Sequence, residues 1–360
     1  MALTTEKAAD LPLARRNRAK RTGTVEQLLA PWEEFRRVIP LVSLQSLLQR
    51  PHPSVPKVAV LMCTMQGQHF LAEQLNSIAT QTHPRWAIWA SDDGSDDHTH
   101  AILEYYQSHW GEDRISIHAG PAEGSTANFL SLTCRADIDA DYFAYADQDD
   151  VWESDKLERA VNWLKTVPED VPALYGSRTL LVDARNQHIG YSPLFEKAPD
   201  FRNALVQSIA GGNTMVFNRA ARDLLRQAGE NVEAVTHDWW AYMLVTGSGG
   251  LVHYDPYPTV RYRQHGANQF GSNADPVAQL RRARLLLQGR FRGWVDCNLR
   301  ALQRVRHLMT PENQRVLDDF VSARQRPLLG RLVALRRAGI FRQTALGNLG
   351  LTLAALIDRL

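Results

Sequence analysis

The feature that most constrains this chain is a repeated alternation of apolar runs and helical stretches, in which two of the apolar runs end in clusters of aspartate. Lys57–Cys63 is a continuous apolar run, the pattern of a strand buried on both faces. From His69 the period becomes helical, with Leu71, Leu75 and Ile78 on one face. Trp86–Ala90 reads as a second strand and runs into Ser91-Asp92-Asp93-Gly94-Ser95. A helix over 97–109 and a strand over Arg114–His118 follow, then a helix over roughly 125–134. Tyr142–Ala146 reads as a fourth strand and ends at Asp147-Gln148-Asp149-Asp150; a helix over Ser154–Lys165 follows, with Ser154 as its cap. Such alternation with short connections predicts right-handed crossovers and a mostly parallel sheet flanked by helices, an α/β class. Ligands of such sheets bind at the carboxyl ends of strands, where both acidic clusters lie.

The flanks differ from this centre. Residues 1–55 carry a net charge of +4, residues 56–275 carry −13, and residues 276–360 carry +11 with arginine as the sole basic residue. Three parts are therefore expected: a basic, disordered N-terminus with short helices (1–55), a catalytic body (56–275) and a basic helical extension (276–360). Within the first part, 25–30 and 41–49 look helical, and the Pro-rich stretch 51–56 reads as a linker. Strand-like stretches continue at Leu174–Val182, Asn213–Phe217, Leu251–Tyr254 and Thr259–Arg263, with a helix between them that holds His237-Asp238-Trp239-Trp240. An acidic body with a basic tail does not make a uniform nucleic-acid surface, and no nucleic-acid partner is expected. No apolar run reaches the length of a membrane-spanning helix. Three cysteines without a CxxC pair fit a reducing, cytoplasmic setting. No GxGxxG follows the first strand and no GxxxxGK[ST] occurs, which removes dinucleotide oxidoreductases and P-loop enzymes.

Four constellations can carry chemistry. Asp147, Asp149 and Asp150 repel one another, and a hard cation such as Mg²⁺ or Mn²⁺, shared with substrate phosphates, relieves that repulsion; the alternative is an acidic loop that only caps the next helix. Asp92 and Asp93 either accept hydrogen bonds from a nucleobase or ribose, or form a tight turn. In His237-Asp238-Trp239-Trp240, indoles stack on sugar rings and raise the pKa of a general base; otherwise they are a core pair beside a surface carboxylate. His265, after a late strand, is a metal ligand, a phosphate contact or a satisfied polar residue.

These pieces, in this order, resemble the bacterial family-2 glycosyltransferases with a GT-A fold, above all their rhamnosyltransferase-like branch. The matching residues are Cys63-Thr64 with Gly67, Leu71-Glu73-Gln74-Leu75, Ser91-Asp92-Asp93-Gly94-Ser95-Asp97 and Asp147-Gln148-Asp149-Asp150-Val151-Trp152 with Lys156; further on come Gly212–Asn218, His237–Trp240 and Tyr262–Gly266 with Asn268. Where the family usually reads Thr-Tyr-Asn-Gly, this chain has Thr64-Met65-Gln66-Gly67.

The resemblance implies an inverting, metal-dependent transfer of a sugar, rhamnose among the candidates, from a nucleoside diphosphate to a saccharide hydroxyl in surface polysaccharide or lipopolysaccharide synthesis. It implies that Thr64, Asp92, Asp93 and Asp147 line the donor nucleotide site. Asp149 and His265 would hold Mg²⁺ or Mn²⁺, Asp238 would be the base, and His237, Trp239 and Trp240 would meet the acceptor. The acceptor is expected to be a saccharide, free or lipid-linked, with a peripheral contact to the inner face of the membrane through 276–360. The alternatives are a sugar-nucleotide pyrophosphorylase, which wants a basic triphosphate loop that Met65–Phe70 lacks, and a catalytically degenerate subunit of the same fold.

Overall fold

The computed structural model describes residues 55–264 and 290–360. The expected disordered N-terminus, the two short helices, most of the linker, His265 and the boundary at 275 lie outside the described residues.

The first half of the body alternates as its pattern predicts. It runs β1 (Val58–Thr64), α1 (Leu71–Ala79), β2 (Trp86–Asp92), α2 (Thr99–Trp110), β3 (Ile115–Ala119), α3 (Ser125–Cys134) and β4 (Tyr142–Ala146). Every residue of β1 is buried, as a central strand covered on both faces must be. The strands stand in the order β3-β2-β1-β4, all parallel. In register, Thr64 pairs with Asp92 on one side and Met62 with Ala146 on the other. Both acidic loops therefore leave the sheet at the same edge, on either side of the loop after β1.

Beyond β4 the sheet is mixed, and the parallel arrangement is concentrated in this first half. The elements are β5 (Val151–Trp152), α4 (Lys156–Leu164), β6 (Ala173–Val182), β7 (His188–Tyr191), α5 (Phe201–Ala204), β8 (Val216–Asn218), α6 (Arg219–Ala228), α7 (His237–Gly247) and β9 (Leu251–Arg263). β8 runs antiparallel to both β4 and β6, β9 is parallel to β6, and β5 is antiparallel to β9. Two strands expected at 251–254 and 259–263 are one strand of 13 residues, with its register shift against β6 absorbed near Arg178. Part of the strand expected from Asn213 is instead a 3₁₀ turn, Gly212–Thr214. Ser154 does not cap α4. Asp155 holds the cap position without a side-chain bond, and the Leu157 N–H is taken by Gln81 Oε1 at 3.0 Å.

The C-terminal part is helical as expected: α8 (Arg290–Arg304), α9 (Pro311–Gln325), α10 (Leu328–Arg337) and α11 (Ala345–Leu356). Thr310 caps α9 ahead of a proline at its first position, and Thr344 caps α11 through the Gly347 N–H. Val295, Leu302, Leu317, Phe320 and Ala354 belong to the same apolar core as Phe143, Phe217 and Trp240, so these helices are packed onto the body by burial of one face.

Candidate functional site

The loops at the strand ends are tied to one another by side chains. The Thr64 hydroxyl donates to Asp92 Oδ1 at 2.8 Å, while Ser95 donates to Asp92 through its backbone N–H (2.8 Å) and its hydroxyl (2.7 Å). Thr64 is itself buried, so it acts by holding the Asp92 carboxylate. Asp93 turns the other way. Its Oδ1 accepts from the Ala122 N–H at 2.7 Å and its Oδ2 from the Gly124 N–H at 2.9 Å. The expectation that Asp93 faces a donor nucleotide is corrected: the residue is buried, unlike Asp92, and its two oxygens fasten the loop between β3 and α3.

Gln148 joins the second acidic loop to the loop after β1. Its amide imitates a backbone peptide, with Oε1 accepting from the Met65 N–H and Nε2 donating to the Met65 carbonyl, each at 2.8 Å. A Cβ at residue 67 would run into this amide and displace it from its two bonds to Met65.

The three aspartates of the second loop have different fates. Asp150 is fully buried, accepting from Asn213 Nδ2 at 2.5 Å and from the Arg263 N–H at 3.1 Å. Lys156, also fully buried, lies 3.6 Å from the centre of the Trp152 ring, and burial pushes its ammonium down to about 7 against the pull of Asp150. Asp150 and Lys156 are structural. Asp147 is pushed up to about 7 by burial first, then by the charges of Asp149 and Asp238. The loop after β4 and the start of α7 meet at the Gly212–Asn213 turn, where Asn213 bonds Asp150 and the Gly212 N–H bonds Asp238, although they come from two distant parts of the chain.

Asp238 sits in the first turn of α7, where a helix favours negative charge. Its Oδ2 accepts from the Gly212 N–H at 3.2 Å and its Oδ1 from the Trp239 N–H at 2.6 Å. The rest of α7 is core. Trp240 is fully buried and Trp239 nearly so, with its indole N–H given to the Ala204 carbonyl at 2.6 Å. His237 stacks on Phe129 at 3.9 Å and stands edge-on to Tyr145, and burial pushes its pKa down to about 4. The acceptor platform expected of His237, Trp239 and Trp240 is thus corrected. A helix buried almost all round turns its aromatic side chains inward, because burying each indole is worth more than leaving it exposed. Of that motif, Asp238 alone reaches the site.

One contributor carries no signal in its local pattern. Arg263, at the end of β9, is buried. Its guanidinium donates to the Asp149 carbonyl (2.8 Å), the Ala184 carbonyl (3.1 Å) and Glu73 Oε2 (2.5 Å), and lies over the Phe70 ring. Glu73 in turn accepts from Asn186 at 3.0 Å. This network fixes the backbone of Asp149. The pairing of Glu73 with Arg263 spans 190 residues, so no local spacing reveals it.

Among the described residues, no group of three carboxylate, imidazole or thiol side chains is arranged to hold a metal by itself. The donor set does fit a cation shared with phosphate oxygens. It offers hard carboxylate oxygens, and the charge that raises Asp147 is what a divalent ion would offset.

A half-parallel sheet with carboxylates at its strand ends offers the crevice in which such folds bind ligands, and comparison with known proteins gives the family. The model for "Glycosyl transferase family 2" matches residues 59–225. Over 237 residues the chain is 30% identical to the dTDP-rhamnosyl transferase RfbG of Shigella flexneri, covering 62% of this chain and 78% of that protein. Over 112 residues it is 33% identical to the putative glycosyltransferase EpsE of Bacillus subtilis (strain 168), covering 31% of this chain and 40% of that one. Among solved structures it is similar to S. aureus TarS 1-349, with a TM-score of 0.48 and 15% identity over 78% of this chain and 90% of that one. The chain belongs to glycosyl transferase family 2, in its rhamnosyltransferase-like part, and its GT-A-like body transfers a sugar from a nucleotide-activated donor.

Proposed function

We propose that this enzyme inverts the anomeric centre of a nucleoside-diphosphate sugar, rhamnose being the first candidate, as it passes the sugar to a saccharide hydroxyl in bacterial surface polysaccharide synthesis. The observation that carries the reading is that the loop after β4, with Asp147 and Asp149, meets the start of α7, with Asp238, across the Gly212–Asn213 turn: Asn213 bonds Asp150 and the Gly212 N–H bonds Asp238. The loop after β4 brings two carboxylates and the start of α7 brings one, so a leaving group and an attacking group have separate partners.

In this reading Asp92, held by Thr64 and Ser95, receives the nucleoside. Asp147 and Asp149 would hold Mg²⁺ or Mn²⁺, which when bound would supply Lewis-acid stabilisation of the leaving diphosphate. Arg263 and Gln148 keep these two loops in place. Asp238 takes the proton of the acceptor hydroxyl as that oxygen attacks the anomeric carbon, a role that typically contributes about 10²–10⁴-fold. The Gly212 and Trp239 N–H groups orient its two oxygens, each of which keeps a further lone pair for the acceptor hydroxyl. With Asp238 assigned as base to the acceptor hydroxyl, the reading is of a single displacement that inverts the configuration. The acceptor is a free or lipid-linked saccharide met at the cytoplasmic face of the membrane, and the C-terminal segment makes a peripheral contact there.

The test is a pair of variants. Asp238→Asn is expected to keep cation-dependent donor binding by calorimetry and to lose transfer by about 10²-fold or more. NMR of the product anomeric proton is expected to show inversion. Near wild-type turnover in Asp238→Asn, or a retained configuration, overturns the assignment.

A further inference from the structure

Among the described residues, 14 large apolar side chains are exposed, and eight of them fall between 328 and 357. They lie on α10 (Leu328, Leu329 and Val333) and along or just beyond α11, as in Leu346, Leu349 and Leu353. On α11 the spacing places them in one stripe, opposite the buried Leu351, Ala354 and Ala355. The inward face of each helix is already used: α10 is anchored by Leu335, and α11 by its three buried residues. α10 and α11 pack on each other, and Arg331 fastens them by donating to the Ala355 carbonyl at 2.9 Å and pairing with Asp358 at 2.7 Å. The outward apolar row is therefore a rigid surface on a folded pair of helices.

Its charge is one-sided. From Phe320 to Ile357 the chain holds six arginines and no aspartate or glutamate. Arg326, Arg336 and Arg337 are exposed around the apolar row. A ridge of leucines rimmed by arginines matches an interface with hydrocarbon beneath and anionic headgroups beside it. α10 and α11 are 10 and 12 residues long, and no described helix is long and apolar enough to cross a membrane. The ridge can lie in the headgroup layer and go no deeper.

We propose that the outward face of α10 and α11 docks this enzyme on an anionic lipid bilayer. This narrows the contact expected of residues 276–360 to one built surface, and it rests on exposure and charge, independently of the transferase chemistry. Leu328, Leu329, Leu346 and Leu349 enter the acyl boundary while Arg336 and Arg337 meet phosphate groups.

The experiment is co-sedimentation of the full-length protein with phosphatidylcholine vesicles, with and without phosphatidylglycerol, in the absence of sugar nucleotide. Binding is expected only with phosphatidylglycerol, and it should weaken as salt rises. Leu329→Glu with Leu349→Glu should lower the partition about tenfold or more. Arg336→Gln with Arg337→Gln should lower it about fivefold per arginine at low salt. Cation-dependent nucleoside-diphosphate binding, measured beside it, should stay at the wild-type level in all variants and reports that they are folded. Equal binding to neutral vesicles, no binding to anionic ones, or partition unchanged in both variants overturns the proposal. So does light scattering that shows a dimer dissolved by the leucine variants, since the ridge is then a contact between copies. Loss of vesicle binding with intact transfer to a soluble acceptor refutes the surface alone; intact vesicle binding without transfer refutes the transferase reading alone.

Discussion

The two acidic strand ends look alike in sequence and behave differently. After β2, the carboxylates are occupied by the protein. Asp92 is held by Thr64 and Ser95, and Asp93 by two backbone N–H groups. After β4, Asp150 is similarly occupied by Asn213 and Arg263, but burial, Asp149 and Asp238 push Asp147 up to about 7. The first end spends its charge on building the wall of a pocket. The second gathers carboxylates whose charges oppose one another, which a cation would offset. Counting acids near a strand end therefore says little; what matters is how many N–H donors the neighbouring loops supply.

The largest expected break in this contrast comes from neutralising one acid at each end. Asp149→Asn should lose cation-dependent donor binding and about 10²-fold or more in turnover, an effect of the size typical for a positioned catalytic charge. Asp92→Asn should keep the cation dependence while donor affinity falls; a calorimetric titration with nucleoside diphosphate, with and without Mn²⁺, separates the two.

Next in size is Asp93→Asn. It replaces a carboxylate oxygen that faces an N–H by an amide that can clash with it, and should cost about 2 kcal/mol of stability in denaturant unfolding, with turnover nearly unchanged. A large loss of turnover at full stability would put Asp93 back in the donor site.

His237 tests the wall behind the second end. Its pKa is about 4 in the fold and near 6.5 in the unfolded chain, so the unfolded state takes up the proton first as pH falls. Stability should drop between pH about 6.5 and about 4, by at most about 1.4 kcal/mol per pH unit, and stay level above that window. His237→Asn should flatten this slope while lowering stability throughout; an unaltered slope would assign it to other groups.

The smallest effect is the most discriminating. Asp147→Asn removes repulsion that the metal-free protein tolerates, so thermal unfolding without metal should rise slightly, by about 1 kcal/mol at neutral pH, and the stabilisation by Mn²⁺ should vanish. A destabilised variant would mean that Asp147 is tied down as Asp93 is.

The parallel half of the fold was legible because each strand there is a short apolar run between helix-periodic stretches. β4 and α3 lie within the expected ranges. The other half was less so. β5 has two residues and β7 four, too short for any period to register, and β9 carries two prolines and charged residues that break its pattern. In the site, the positions of Asp92, Asp147 and Asp149 at strand ends were readable from the apolar runs before them, and Asp238 was singled out beside its tryptophans; their roles are proposals. His237, Trp239 and Trp240 were misplaced because adjacent aromatics have the same sequence whether they face a sugar or a core. Arg263 and Glu73 were invisible as partners because only the completed sheet brings them together.

The burial of α7 has a practical side. Residues 239–247 are all buried, so anyone wishing to re-target the enzyme to another acceptor has almost no freedom there. A library randomised on that helix would mostly return chains that fail to fold. The room for redesign lies in segments that carry little packing, such as β7 with exposed Ile189 and Tyr191, and the stretch around Leu194. Nature faces the same restriction: a lineage of such enzymes would diversify its acceptors through those segments and leave the helix behind Asp238 as it is.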